Sequence, residues 1–374
     1  MNQTDVAIIG AGIVGLAHAL VAARRGSKVT VFERHPQVVG ASIRNFGMVW
    51  PVGQPLGQMR DRALRSREIW LEMGANAGFA TDPCGSLHVA YREDEMAVIK
   101  EFVATVGPQT QTVAWLTPDQ VAKKSPAVRL EGLQGALWSS TEVIVDPREA
   151  IAKLPAFLAS EYGIEFKFGT VVTEIDPPKL LAGGEPWRAN QILVCSGADF
   201  ETLYPEVYAN SGITKVKLQM MRTSPQPDQF RIGAALCGGL TLTHYASFAH
   251  CHSLAGLKTR IQTETPWFPK WGIHVMVSQN SAGELIIGDS HEYGLNPDPF
   301  DRADLNRYIL DYLKIFAQFP SFDIAETWHG IYAKWVGKTE LILHPQPGVT
   351  IVNGLSGAGM TLAFGLAEEV MGSI

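Results

Sequence analysis

Two glycine-rich stretches and one acid have the types and spacing that could do chemistry. Gly10-Ala11-Gly12-Ile13-Val14-Gly15 follows a short apolar run, Asp5 to Ile9, and opens a helical pattern from Leu16 to Arg25. That strand–turn–helix context makes GxGxxG a dinucleotide fingerprint. Gly10 permits the tight turn, Gly12 lets the backbone approach a pyrophosphate, and Gly15 lets the helix lie close to the strand. Free N–H groups and the positive end of the helix dipole then attract phosphate charge. Glu33, with Arg34 beside it, ends the next strand, Lys28 to Phe32. A carboxylate there accepts hydrogen bonds from a ribose diol and disfavours a 2′-phosphate. The fingerprint alone leaves NAD and FAD open.

Other constellations reach less far. Gly288-Asp289-Ser290-His291 invites comparison with the GD motif of flavin hydroxylases, but it lies on an expected hairpin and continues as Glu292-Tyr293-Gly294 rather than into a helix. His250-Cys251-His252 has no partner pair at zinc-like spacing, so a structural role and no metal site are expected. Neither HExxH nor GxSxG occurs, which removes zinc-protease and α/β-hydrolase chemistry.

The elements that must position these residues read as a mixed α/β chain. Gly26 separates the first helix from its strand, completing one βαβ unit. Charges mixed with apolar residues from Gln58 to Met73 predict a helix whose Arg60, Arg62, Arg65 and Arg67 face solvent. Gly85 to Tyr91 reads as a strand, and Thr117 with Gln120 as a capping box. Asp146-Pro147 opens a helix that runs to Tyr162 and stops at Gly163. Ile164 to Phe168, Thr170 to Ile175 and Gln191 to Cys195 extend the first sheet. Period-two patterning then predicts a hairpin, Trp271 to Ser278 and Glu284 to Asp289, turning at Asn280 to Gly283. Leu305, Ile309, Tyr312, Leu313 and Phe316 form an amphipathic helix, and Val349 to Asn353 is a buried strand. The expected fold is a Rossmann-like nucleotide domain of glutathione-reductase type, residues 1–80, 146–214 and 326–374, interleaved with an antiparallel α+β substrate domain, residues 81–145 and 215–325.

Composition sets outer bounds. A chain of 374 residues, 46% hydrophobic and 18% charged, suits about two globular domains and excludes disorder over most of its length. A net charge of -6 without a basic tract argues against a nucleic-acid partner. Cys84, Cys195, Cys237 and Cys251 make no CxxC pair, which fits a reducing, cytoplasmic setting. No signal peptide is expected, and no apolar run of about 18 residues predicts a membrane-spanning helix.

Glycine is mildly enriched, 36 of 374 residues, and the excess gathers at Ala7 to Gly15 and Gly354 to Gly365. With several stretches between them, these two ends resemble the FAD-dependent oxidases of the D-amino acid oxidase and glycine oxidase superfamily. Gly10 to Glu33 is similar to the family's extended fingerprint, including Ala19, Ala22, Gly26 and Val29. Ala41-Ser42-Ile43-Arg44-Asn45-Phe46-Gly47-Met48 looks like its flavin-contacting loop. Gly169 to Val172 resembles the adenine-holding segment, with Val172 as the contact, and Cys195-Ser196-Gly197-Ala198 the strand end beneath the dinucleotide. Trp328-His329-Gly330 and Asn353-Gly354-Leu355-Ser356-Gly357-Ala358-Gly359-Met360-Thr361 are similar to the closing flavin motif.

What the resemblance implies is FAD as cofactor, a small-molecule amine as substrate, and oxygen or a quinone as electron acceptor. A neutral amine would give a hydride to flavin N5, and the imine would hydrolyse, with no protein acid or base required. A helix starting near Gly359 would direct its N–H groups to the flavin N1–C2=O region, where reduction deposits charge. The carboxylate-binding arginine of glycine-oxidase-like members is absent: Tyr332 occupies its position, and Gly357 replaces a second anion-contacting arginine. Lys334, His329, Arg44, Arg222 or His274 could supply charge instead, with Met48 also at the substrate. The chain looks like the subfamily associated with aminophosphonate breakdown, whose tetrahedral dianion does not need a planar fork. Left open are an ordinary amino-acid oxidase or dehydrogenase, an NADPH-dependent flavin hydroxylase, and a scaffold that merely holds FAD.

Overall fold

The computed structural model describes residues 2–374. Two large sheets dominate it, and their chemistry of burial differs. In the first sheet the order runs Val172–Asp176, Lys179–Ala182, Glu185–Val194, Asn2–Ile9, Val29–Phe32, Glu165–Lys167. Val349–Asn353 joins Glu185–Val194 in parallel and carries Leu341–Gln346 on its outer side. Asn2–Ile9 pairs in parallel with both neighbours. Val29–Phe32 is buried at every position, as a parallel strand covered on both faces must be.

The covering helices are Ile13–Arg24, Gln58–Ala77 and Gly359–Ser373. The last two cross closely at Gly365, where a Cβ would fall 2.4 Å from the Arg62 carbonyl oxygen. That crossing overturns the solvated reading of the arginines. Arg60 and Arg62 are only 3% and 5% exposed. Arg62 grips Glu369 through two hydrogen bonds, 2.8 and 2.7 Å, and meets Glu340 at 3.0 Å. Arg60 donates to Thr112 and to the Pro51 carbonyl, and Arg67 to the Thr141 carbonyl. Arg65 alone remains on an exposed pair with Glu368. Their acceptors lie far away in sequence, where charge spacing along one helix cannot reach.

In the second sheet the order is Glu292–Tyr293, Ile213–Thr223, Leu285–Gly288, Met276–Gln279, Ala235–Cys237, Ser86–Ala90, Gly135–Ser139, Val113–Leu116, with Ile324–Trp335 also paired to Ile213–Thr223. The hairpin turns at Asn280 to Gly283, where Asn280 accepts from Glu284 N. Its first strand begins at Met276 rather than at residue 271, because Trp267–Lys270 is helical and Gly272 turns the chain. Asp146 caps Pro147–Tyr162 by accepting from the N–H groups of Arg148 and Glu149, and Gly163 ends it at φ 68°. Thr117 and Gln120 form their capping box on Pro118–Lys124. A small sheet, Met48–Val49, Val143–Val145 and Thr81–Asp82, lies beside these two. No helix among the described residues is long and apolar enough to cross a membrane.

Candidate active site

A cavity of roughly 530 Å³ extends from the ends of the parallel strands to the second sheet. At its nucleotide end the backbone leaves no room for alternatives. Gly10 has φ +103°, and a Cβ there would fall 2.4 Å from the Cys195 carbonyl oxygen. A Cβ on Gly15 would meet the Gly10 carbonyl oxygen at 1.9 Å, so Gly15 packs helix on strand and does not itself line the cavity. The N-cap of Ile13–Arg24 is Gly12, which offers no side-chain acceptor. Of the first-turn N–H groups, Ile13 N donates to Ser42 Oγ at 2.9 Å. Gly12, Ile13 and Val14 face the cavity. Glu33 is fixed at the rim by Ala11 N and His35 N, both at 3.0 Å. Its neighbour Arg34 pairs with Asp199. Val172, Ser196 and Gly197 complete this wall. Asn353 ties it together by donating to the Gly197 carbonyl at 2.9 Å.

The middle of the cavity is a folded loop. Asn45 donates to the carbonyls of Ala41 and Ser42 and accepts from Gly47 N at 2.8 Å, so its amide shapes the turn. Ala41, Ser42, Phe46 and Met48 line the space, whereas Gly47, φ +70°, backs it: a Cβ there would meet the Val145 carbonyl oxygen at 1.9 Å. On the opposite side Ser356–Ala358 forms a 3₁₀ turn leading into Gly359–Ser373. The whole run Leu355 to Thr361 faces the cavity. The helix carries no side-chain cap, and Thr361 Oγ accepts from Trp50 N at 2.9 Å.

At the far end the strand Ile324–Trp335 brings Gly330, Tyr332 and Lys334 to the cavity. Tyr332 is 8% exposed, and Lys334 Nζ lies 3.3 Å from the Tyr293 hydroxyl. Two expected charges are elsewhere. His329, three residues from Tyr332 and hence on the other face of the strand, bonds Asp301 at 2.8 Å outside the cavity. Arg222 is consumed by Glu284 and Glu326, each at 2.7 Å. Arg44 does line the cavity while donating to the His329 carbonyl at 3.2 Å.

Sequence reasoning offered His274 as a possible charge, and the cavity wall does carry it, but missed the polar cluster around it that faces Tyr332. His244 and His274 stack with ring centroids 3.7 Å apart, and His291 lies 5.0 and 5.3 Å from them. Asp289 places one carboxylate oxygen 3.1 Å from His274 Nε2 and the other 3.8 Å from His291 Nε2. The 3.1 Å approach lacks hydrogen-bond alignment, which leaves Asp289 Oδ1 buried without a partner, and His274 Nδ1, across the ring from that approach, is buried without one as well. Burial raises the Asp289 carboxyl well above its ordinary range and holds His274 well below its own, and His244, exposed on the cavity wall but enclosed by surrounding protein, is held down in the same direction. His291 is brought down to about 4 by the same cause. The signal lay in Gly288-Asp289-Ser290-His291, whose polar residues end an apolar hairpin strand. By contrast His250 contacts only its surroundings, bonding Thr105 at 2.9 Å.

Comparison with known proteins fits this geometry. A protein named Bifunctional protein ThiO/ThiG, from Nostoc sp., is 29% identical over 178 residues, covering 45% of this chain and 26% of that protein. Glycine oxidase of Geobacillus kaustophilus is 26% identical over 348 residues, 88% of this chain and 81% of that one. Its crystal structure superposes with a TM-score of 0.76 over all of this chain and 94% of that one, at 19% identity. L-proline dehydrogenase from P. horikoshii gives 0.79, at 21% identity over 99% and 92% of the two chains. Residues 5–371 match the profile of the family described as FAD dependent oxidoreductase. The chain belongs to that family: it is an FAD-dependent oxidoreductase of the D-amino acid oxidase and glycine oxidase type.

Proposed function

We propose that this cavity is where FAD binds, and that the enzyme oxidises a small amine carrying an anionic group, the anion being a phosphonate. What supports the FAD placement is a cradle that a Cβ would fill. Gly10 and Gly15 are required by protein atoms, but at Gly357 and Gly359 a Cβ would meet no protein neighbour closer than 3.7 and 3.5 Å. Glycines that the protein's own packing does not demand suit a backbone kept bare for a ligand. In this assignment Gly10, Gly12, Ile13, Val14 and Glu33, with Arg34, Val172, Ser196 and Gly197, hold the adenosine and pyrophosphate. Ala41, Ser42, Asn45, Phe46 and Met48, with Gly330 and Leu355 to Thr361, surround the flavin, and Gly47 shapes the loop from behind. Residues 1–80, 146–214 and 326–374 would then serve the cofactor, and 81–145 with 215–325 the substrate.

FAD held here would supply hydride acceptance from the carbon bearing the amine, and the imine so formed would be hydrolysed by water to a carbonyl compound and ammonia or a smaller amine. The chain's own part is to orient that amine and to hold charge. Uncapped N–H groups at the start of Gly359–Ser373 stabilise negative charge accumulating beside them. Burial keeps the hydroxyls of Tyr332 and Tyr245 protonated, so both donate hydrogen bonds rather than carry charge.

The observation that carries the substrate reading is Tyr332 itself. A carboxylate is best held by a planar, permanently charged guanidinium, and the cavity wall offers a phenol there with Lys334 two residues on. A tetrahedral anion can be held by such separate donors. The likeness to glycine oxidase favours a second reading, an ordinary amino acid. Anaerobic mixing of the holoenzyme with 2-aminoethylphosphonate-type amines, glycine, sarcosine, D-alanine and NADPH decides between them. The aminophosphonates should bleach the flavin absorbance fastest; faster bleaching by the carboxylates overturns the phosphonate reading, and bleaching by NADPH alone points to a hydroxylase.

A further inference from the structure

We propose that His244, His274 and His291 form a proton-taking anion pocket, which becomes cationic as it closes on the tetrahedral headgroup of the substrate. It deepens the phosphonate reading and rests on it for the identity of that headgroup. Three side chains from separate segments converge here: His244 from the loop after Gly239–Thr243, His274 ahead of Met276–Gln279, and His291 beyond Leu285–Gly288. One ring nitrogen from each lies within 4.8 Å of the others. All three line the cavity, and His291 meets the Tyr332 ring edge-on at 6.4 Å. The cluster therefore adjoins the position at which the arginine is missing.

Such a cluster could serve a cation or an anion, and its neighbours decide. The Lys334 ammonium opposes protonation of all three imidazoles, so its field reaches each of them. A divalent cation entering there would meet the same repulsion. An anion would be drawn by Lys334 and would relieve the mutual repulsion of the rings. Asp289 stands behind His274 and His291, and burial, which holds its carboxyl well above the ordinary range, limits the negative charge it would set against an anion. His291 is oriented by its Nδ1, which lies 2.9 Å from the Gly272 carbonyl; an Nδ1–H donated there turns Nε2 inward. The other titratable groups facing the cluster are Tyr245, Tyr332 and, beyond Lys334, Tyr293. Behind Tyr245 stand Cys237 and Glu142. The two buried tyrosines stay neutral, so protons drawn in by an anion settle on the imidazoles.

The sign of the pH dependence follows. In the free enzyme the histidines are held down, and His291 titrates at about 4. A bound anion raises them, so the complex holds more protons than the free enzyme and binding weakens as pH rises through the raised values. The probe is ethanesulfonate, whose charge does not change over the range, so any slope belongs to the protein. Its binding to the holoenzyme is followed by perturbation of the flavin spectrum. Kd should rise about tenfold between about pH 6 and about pH 8, the weight of one pKa unit. The slope should flatten in His274→Gln and in His244→Gln, the latter facing open cavity and sparing the core. A flat wild-type profile, or an unchanged slope in both variants, overturns the proposal. So does a stoichiometric divalent metal in the purified protein that is lost in both variants. A sloping profile together with no oxidation of aminophosphonates leaves the pocket standing and removes the substrate reading; oxidation with a flat profile does the reverse.

Discussion

The two ends of the cavity are built from different materials. At the nucleotide end the backbone makes the shape: carbonyls of Cys195 and Gly10 press against Gly10 and Gly15, and Glu33 is pinned by two N–H groups. At the substrate end side chains make it, and several are titratable groups buried without full partners. Backbone walls have few alternatives and suit an invariant ligand such as a dinucleotide. In the proposed pocket the histidines change charge with their occupant, at the cost of polar groups left unsatisfied when alone. In the proposed assignment one end fixes the cofactor, and the other is free to set the substrate.

Breaking the backbone end should have the largest effect. Gly15→Val places a Cβ 1.9 Å from the Gly10 carbonyl oxygen, and no rotamer can relieve a clash between backbone and Cβ. The helix must leave the strand, at a cost of about 4 kcal/mol or more. Expected is a chain that is largely insoluble or melts far below the wild type in thermal denaturation; a normal melting temperature would mean that helix and strand are not packed as described.

Gly359→Val sharpens the comparison, because its nearest protein neighbour, Ile13 Cγ2, is at an ordinary 3.5 Å. The chain should fold, with stability lowered by no more than about 1 kcal/mol, yet purify with little flavin. Full flavin content with normal turnover would show that nothing approaches this backbone. Glu33→Lys loses the acceptor for Ala11 N and His35 N and brings a cation to the ribose position. FAD affinity should fall by about 2 to 3 kcal/mol, on the order of a hundredfold, in an apoenzyme titration. Unchanged occupancy would move the ribose elsewhere.

The same difference explains what the sequence made legible. A glycine forced by a positive φ or a carbonyl contact leaves its mark in a single stretch, so Gly10 to Gly15 could be placed in advance, with Glu33 read from its spacing; the helix beginning at Gly359, whose glycine neither condition forces, was implied by the resemblance instead. The Asp146 and Thr117 caps were readable for that reason also, since each satisfies donors within three residues. The histidine cluster leaves no such mark: its members come from residues 244, 274 and 291, with hairpin register bringing the last two together and the loop after Gly239–Thr243 adding the first. Buried Arg62 was misjudged likewise, because Glu369 comes to it through packing of the last helix and Glu340 from the turn ahead of Leu341–Gln346. His329 failed on strand parity alone, as an odd separation from Tyr332 turns it outward.

The smallest effect tests the side-chain end directly. Lys334 is half-buried on the strand that carries Tyr332, close to the Tyr293 hydroxyl and over its ring at 5.2 Å. In the proposed pocket its charge attracts the headgroup before and after the oxidation alike, so it contributes mainly to ground-state binding. Lys334→Ala should therefore raise KM for an anionic amine about tenfold, or about 1.4 kcal/mol, with kcat lowered by less than about threefold. Added salt should weaken the wild type more than the variant, since partial exposure leaves the pair open to screening. The informative control is an uncharged amine of equal size, whose kcat/KM the substitution should leave unchanged. Equal losses for charged and neutral amines would make Lys334 a prop for Tyr293 rather than a contact for the anion, and would leave the headgroup to the imidazoles and Arg44.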